Sequence, residues 1–340
     1  MDMEELKNTI IEKGMELGLD QISFIPVQPM PLWEEGIKVR KTDDVETAKY
    51  WDVIGISPLC HSVMPEGKTI IAAAYPYAPY SRDLSSDKGY YSAHYRSYPK
   101  GRSAIKELSK ILVNEGYKVE VDPKLPMKEI AYRSGIGQFG KNGLIHNERH
   151  GSFMTLHIIL TDAILSYTNV TLNEISDCGS CTLCIDSCPM NAIHENGVIH
   201  ISRCLRYYMI SSDYIPIEVR EKIENRILGC EDCQICCPKN TKQYKKTAMP
   251  MDEIFDLKEL LSAYPTGLKG HMETIGNVIG KNYARTQKIL SMAIIAAGNS
   301  KDPSYLPLLE KTLNHPHPPI RAHSAWAISK LSDQNDMKQL

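Results

Sequence analysis

At 340 residues the chain is long enough for two or three domains, each able to bury a core. A hydrophobic content of 42% excludes a disordered chain, and a formal net charge of −2 excludes a globally basic nucleic-acid binder while leaving room for local basic patches. No run of about 18 apolar residues occurs, which argues against a membrane span.

The first residues, MDMEELKNTIIEKGMELGLD, put apolar side chains at helical spacing and lack the continuous apolar core of a signal peptide. They predict an amphipathic helix and a cytoplasmic protein. Residues 1–167 alternate helical and strand-like pieces. TIIAAAYPY (Thr69 to Tyr77) and TLHIILTD (Thr155 to Asp162) are β-compatible apolar runs, and SAIKELSKILVNEGY is amphipathic with a stop at Gly116. The pattern predicts an α/β domain. Cys60, isolated in SPLCHSV, reads as a small buried hydrophobe.

Near the end of this domain lies SGIGQFGKNG, Ser134 to Gly143. Its glycines permit close backbone approach, and GIGQFG has the bare spacing of a dinucleotide loop. No ribose-binding acid follows at a suitable distance, however, and the Walker form would need Ser or Thr after Gly-Lys. Tight turns in an α/β domain are the plainer reading.

Residues 168–248 hold nine of the ten cysteines and are too poor in periodic patterns to build a large core without metal. From 249 to 340 the chain turns helical, and HPHPPIRAHSAWAI looks like a HEAT-type repeat that must pack on the rest of the protein.

In a reducing compartment, clustered thiols bind metal or do redox chemistry rather than form disulfides. The run Cys178-x2-Cys181-x2-Cys184-x3-Cys188-Pro189 has the bacterial ferredoxin spacing, in which three thiolates hold one iron-sulfur cluster and the fourth reaches a second. Counting back from Cys237-Pro238 gives Cys233 and Cys230 in register, but the next slot is Ile227, so Cys204 is the natural replacement. The expected sets are Cys178, Cys181, Cys184 and Cys237 for one [4Fe-4S] cluster, and Cys188, Cys204, Cys230 and Cys233 for the other. Cys236, beside Cys237, could serve in its place, although the Cys-Pro pair favours Cys237. Structural zinc would use four cysteines in paired C-x2-C form, which this run is not. Two adjacent clusters make an electron wire that needs an acceptor.

Three segments carry a resemblance: CGSCTLCIDSCPMNAI…CLRYY…NRILGCEDCQICCPKN, the upstream RSGIGQFGKNGLI…HGSFMTLHIILTD, and the C-terminal AAGNSKDPSYLPLLEKTLNHPHPPIRAHSAWAISKL. Together, over nearly the whole chain, they resemble the epoxyqueuosine reductases. The resemblance implies a nitroreductase-like α/β domain carrying cobalamin, a ferredoxin-like domain with two [4Fe-4S] clusters, and a HEAT-like helical domain. It implies removal of the epoxide oxygen from a modified base of a tRNA anticodon. Reductive dehalogenases share the cobalamin and two-cluster core but lack the helical tail. In such a reductase a low-potential donor such as a flavodoxin or ferredoxin supplies electrons, and the family suggests a monomer.

The resemblance further implies that Gly135, Gly137, Gly140, Lys141 and Asn142, followed by Gly151, Ser152 and Phe153, line the corrinoid. No D-x-H-x-x-G cobalt-ligating motif is present. The family places an aspartate in a V-D-T segment shortly before the glycines. Val121-Asp122 stands in nearly the same place, which makes Asp122 the candidate general acid; the alternative is an aspartate opening a turn before Pro123. Two segments depart from the family: PKLPMKE replaces the usual residues after the aspartate, and YRSYPKGRSAI stands where the family has G-x-D-Y-H. Such changes suit a paralogue acting on another epoxide, an organohalide or a corrinoid protein. A non-catalytic electron carrier is a further alternative.

For tRNA, Lys239, Lys242, Lys245 and Lys246 around Tyr244, and Arg96, Lys100 and Arg102 among tyrosines, suit phosphate contact and base stacking, or else form a solvated charged face.

Overall fold

The computed structural model describes residues 2–83, 87–172, 174–210 and 214–339, with side chains up to residue 332. The chain is mixed α/β and folds into two compact units, each assembled from segments far apart in sequence. Met1–Ala78, Ser97–Ser202 and Asp232–Thr247 make the first unit; Pro79–Arg96, Arg203–Glu231 and Ala248–Leu340 make the second. Among the described residues the strands are β1 (Asp20–Pro26), β2 (Thr69–Pro76), β3 (Tyr90–Tyr91), β4 (Val119–Val121), β5 (Gln138–Phe139), β6 (Ile145–His146), β7 (Met154–Thr161) and β8 (Arg226–Leu228).

The first unit is organised by an antiparallel sheet in the order β1-β2-β7-β4. Both apolar runs read from the sequence are its central strands, paired Ile70 to Leu160, Ile71 to Ile159 and Ala72 to Ile158. Alternate residues of a strand point to opposite faces, so an unbroken apolar run must be covered on both sides. It is. Ile70, Ala72 and Ala74 join Ile158 and Leu160 in one core with Ile130 and Ala131 of the helix Met127–Arg133. Ile71, Ala73 and Ile159 join the other, under Leu6 and Ile10 of the helix Met3–Glu16 and Ile105, Leu108 and Leu112 of the helix Ala93–Asn114.

Local signals set the ends of these helices. The Asp2 carboxylate accepts from the amides of Glu4 and Glu5 at 3.0 and 2.8 Å, satisfying two donors that a first turn leaves open. Ala93–Asn114 begins well before the amphipathic stretch that announced it and stops ahead of Gly116, whose φ of +88° favours glycine.

The second unit is mainly helical. Its β3 and β8 pair in parallel, and its core helix is Thr286–Asn299, buried continuously from Ile289 to Gly298. A helix that is apolar all round has to be central. The helix Pro318–Gln339 packs against it so closely that a Cβ on Gly298 would lie 2.7 Å from the Cβ of Ala327. His323 of that helix is fully buried; its Nε2 accepts from the amide of Ile215 at 3.1 Å, and its Nδ1 lies 3.3 Å from Ser291 Oγ. Among the described residues, no helix is long and apolar enough to cross a membrane.

Candidate metal centre

The glycine-rich segment that follows Met127–Arg133 is a hairpin. Its strands β5 and β6 pair Gln138 with His146 and Phe139 with Ile145. The turn between them closes through Gly140 N–H to the Leu144 carbonyl and Gly143 N–H to the Gly140 carbonyl, both at 2.8 Å. Gly143 has φ +68°, and a Cβ on Gly137 would sit 2.3 Å from the His146 carbonyl oxygen, so both positions require glycine for the fold itself.

The hairpin turn grips the cysteine loops. Lys141 Nζ donates to the carbonyls of Gly179 (2.8 Å) and Cys181 (3.1 Å), and Asn142 Nδ2 donates to the carbonyl of Cys233 at 2.9 Å. Gly151 and Ser152, just before β7, grip the same region from another side. The Ser152 amide donates to Asn240 Oδ1 at 2.7 Å, and Asn240 Nδ2 donates to Ser152 Oγ and to the Gln234 carbonyl, each at 2.8 Å. A Cβ on Gly151, whose φ is +57°, would lie 2.0 Å from Asn240 Oδ1. Phe153 is fully buried, edge-on to Tyr77.

These contacts frame a cavity of about 270 Å³ lined by Cys178, Cys181, Cys184 and Cys237. Gly140, Lys141, Asn142, His146 and Ser152 complete its wall with Asp177 and Lys239. Burial, followed by the neighbouring Cys236, Cys178, Cys237 and Cys181, pushes the Cys184 thiol up to about 11. Four or five thiols packed this tightly repel one another as thiolates, and bound iron removes that conflict. The donor set therefore fits a [4Fe-4S] cluster. Burial raises Cys237 and Cys236 as well; Cys236 donates to the Leu183 carbonyl at 3.4 Å and is not part of the cavity wall.

Of the other proposed set, Cys188 and Cys233 belong to the first unit, and Cys204 and Cys230 to the second. The Cys188 sulfur accepts from the Ala192 amide at 3.3 Å, an arrangement that stabilises a thiolate. Cys60 is 2% exposed and its thiol is raised by burial, as befits an apolar core residue.

Two residues of the centre carry no sequence signal. Asp177 precedes Cys178 and pairs with Lys239. Burial pushes its carboxyl up, but Lys239 and His146 outweigh burial and hold it below the usual range. His146, on β6, reaches the same spot only because the hairpin folds back: a ring nitrogen, an Asp177 oxygen and the Cys178 sulfur lie within 4.8 Å of one another. Burial, reinforced by Lys239 and opposed by Asp177, lowers the His146 pKa.

Asp122 is elsewhere. It follows β4 with φ +47°, and its side chain is 2% exposed. Its Oδ2 lies 2.8 Å from His157 Nδ1, its Oδ1 accepts from the Ile158 amide at 2.9 Å, and it does not line the cavity. Lys242, Lys245 and Lys246 are exposed on the helix Pro238–Thr247 at spacings of three and four, hence on one face. Arg96 is committed within the second unit to Tyr80 and Asp252.

Comparison with known proteins places these observations. Residues 177–240 match a family described as a 4Fe-4S double cluster binding domain. The epoxyqueuosine reductase of Vibrio cholerae serotype O1 is 31% identical over 258 residues, 71% of this chain and 68% of its own. A solved epoxyqueuosine reductase from Bacillus subtilis, with its catalytic loop swung out of the active site, is 26% identical and superposes with a TM-score of 0.81, covering 99% of this chain and 94% of its own. An epoxyqueuosine reductase crystallised with an epoxyqueuosine-modified stem loop of tyrosine tRNA has the same fold, with a TM-score of 0.81 at 24% identity over 99% of this chain and 94% of its own.

Proposed function

We propose a function from one premise: the chain belongs to the epoxyqueuosine reductase family. It is an oxidoreductase that converts epoxyqueuosine to queuosine in tRNA. The overall change consumes two electrons and two protons, removes the epoxide oxygen as water and leaves an alkene. The observation that carries this reading is the convergence of Cys178, Cys181, Cys184 and Cys237 on one cavity in a chain of this family.

Those four thiols would hold one [4Fe-4S] cluster, and Cys188, Cys204, Cys230 and Cys233 a second, so that electrons from a flavodoxin- or ferredoxin-like donor arrive one at a time. A cobalamin, implied by family membership, would supply a strongly reducing nucleophilic metal when bound. Of the residues assigned to it, Gly140, Lys141, Asn142 and Ser152 are open to the cavity, whereas Gly137 and Gly151 have no room for a side chain and Phe153 is buried, so that these three would shape its wall. Gly135, with φ +73°, ends the helix Met127–Arg133 and aims the chain into the hairpin. The second unit's C-terminal helices would be the HEAT-like module.

Asp122 is the proposed donor of the proton to the leaving oxygen. In this structure its carboxylate is held by His157, so donation requires the loop that it opens to move off. The Bacillus subtilis relative solved with a swung-out catalytic loop supports a loop with two positions. Lys242, Lys245 and Lys246 would meet tRNA phosphates.

A strain deleted for this gene, complemented with the wild-type chain, tests the function. Nucleosides from its tRNA should contain queuosine, and persistence of epoxyqueuosine in spite of protein loaded with iron would reject the substrate while sparing the clusters. One observation favours a different substrate. The segment that stands in place of G-x-D-Y-H packs on the histidine that holds Asp122: Tyr98 lies 5.1 Å from the His157 ring, and a Cβ on Gly101 would come within 2.3 Å of its Nε2.

A further inference from the structure

His146 is placed where the proposed chemistry gives it no role. Its residue is 6% exposed and its Nε2 is buried without a hydrogen bond. A buried polar atom left unpaired loses its bonds to water without replacement, so a ring nitrogen held in this way calls for a partner that arrives later. The cavity that His146 lines is the one framed by Cys178, Cys181, Cys184 and Cys237.

The surroundings decide which form of the ring faces that cavity. Asp177 Oδ1 lies 3.3 Å from Nε2, and the Cys178 sulfur is within the 4.8 Å group. Both neighbours are electron-rich, so a lone pair on Nε2 would be repelled and an N–H there is favoured. Asp177 is not a full partner, because the approach of its Oδ1 to Nε2 lacks hydrogen-bond geometry, while its other oxygen, Oδ2, is taken by Lys239. The Cys178 sulfur is the acceptor that remains.

We propose that His146 donates its Nε2–H to the Cys178 sulfur once that sulfur ligates the first cluster, and thereby raises the reduction potential of that cluster. An N–H directed at a cluster sulfur stabilises the reduced, more negative state over the oxidised one. His146 is thus a positioning residue of the electron path and not a ligand. The inference rests on the reading of Cys178, Cys181, Cys184 and Cys237 as the ligand set.

Redox titration of the anaerobically reconstituted full chain, followed by electron paramagnetic resonance, tests it. The native protein should carry about eight irons, and a protein that binds none when reconstituted overturns the ligand reading itself. With iron in place, His146→Leu should shift one of the two cluster waves to lower potential and leave the other unmoved. His146→Gln, which keeps an N–H donor, should return the wave most of the way. A proton coupling to the reduced cluster that disappears on transfer to deuterium oxide should be present in the native protein and absent from the leucine variant. Unchanged waves in an iron-replete His146→Leu overturn the inference and leave the ligand set standing. If the leucine variant loses iron, the glutamine variant decides: a near-native potential with the exchangeable proton upholds the inference, and a lowered potential without it overturns it.

Discussion

Asp122 and His157 form a buried pair in which the carboxylate Oδ2 lies 2.8 Å from Nδ1 and the histidine is completely excluded from solvent. His157 Nε2 is in turn 2.9 Å from Thr155 Oγ1, so a chain of three side chains runs along β7. The pair makes the proton-donor proposal testable, because the two natural substitutions of Asp122 affect it differently.

Asp122→Asn should fold with nearly native stability and lose epoxide reduction. The asparagine oxygen can still accept from the Ile158 amide, and His157 can switch tautomer so that Nδ1 accepts from the new amide while Nε2–H faces Thr155. Asp122→Ala strands the Ile158 amide and His157 Nδ1 and should cost about 1–3 kcal/mol in chemical denaturation. Full turnover by the asparagine variant would remove Asp122 from the role of acid and leave it the structural one.

Iron content separates a cysteine of the cavity wall from Cys236, which lies outside it. Cys184→Ser should retain about four of the roughly eight irons expected for two clusters, because Cys184 lies on the cavity and feels the other four thiols. Cys236→Ser should retain all of them, its thiol being bonded to the Leu183 carbonyl outside the cavity wall. Loss of half the iron from Cys236→Ser would exchange the roles of Cys236 and Cys237.

His323 makes the stability of the second unit depend on pH. Burial first, then Arg220 and His317, hold its pKa down at about 3, against 6.5 for the unfolded chain. The folded state therefore binds fewer protons than the unfolded one between these values, and stability falls as the pH drops below 6.5, by about 1.4 kcal/mol per unit for one proton. Above 6.5 this contribution is complete. Protonation removes the acceptor that Nε2 offers to the Ile215 amide. His323→Gln should flatten the slope in urea unfolding followed from pH 7 to 5; an unchanged slope would assign the acid sensitivity to other groups.

The lysine face of Pro238–Thr247 predicts a salt effect. Lys242, Lys245 and Lys246 are exposed together, and changing all three to alanine should weaken binding of a tRNA stem loop. The dependence of log affinity on log salt should fall by about 0.7 for each phosphate that these lysines no longer neutralise. An unaltered slope would make the face a solvated one.

The cluster loops and the sheet were legible before any fold was known, for a common physical reason: their information is local. Three of the proposed ligands of one cluster lie within seven residues, Cys178 to Cys184, because an iron-sulfur cluster can be held by a single tight loop. The apolar runs of β2 and β7 announce strands buried on both faces by composition alone. The tertiary structure decided everything that depends on distant segments meeting. A hairpin had to fold back before His146 could join Asp177 and Cys178, and before Lys141 and Asn142 could hold the cysteine loops. β4 had to pair with β7 before Asp122 could meet His157, thirty-five residues on. Hydrogen bonds and charge interactions act over a few ångströms of space without regard to separation along the chain, so a spacing pattern can reveal a ligand loop but not the groups that surround it.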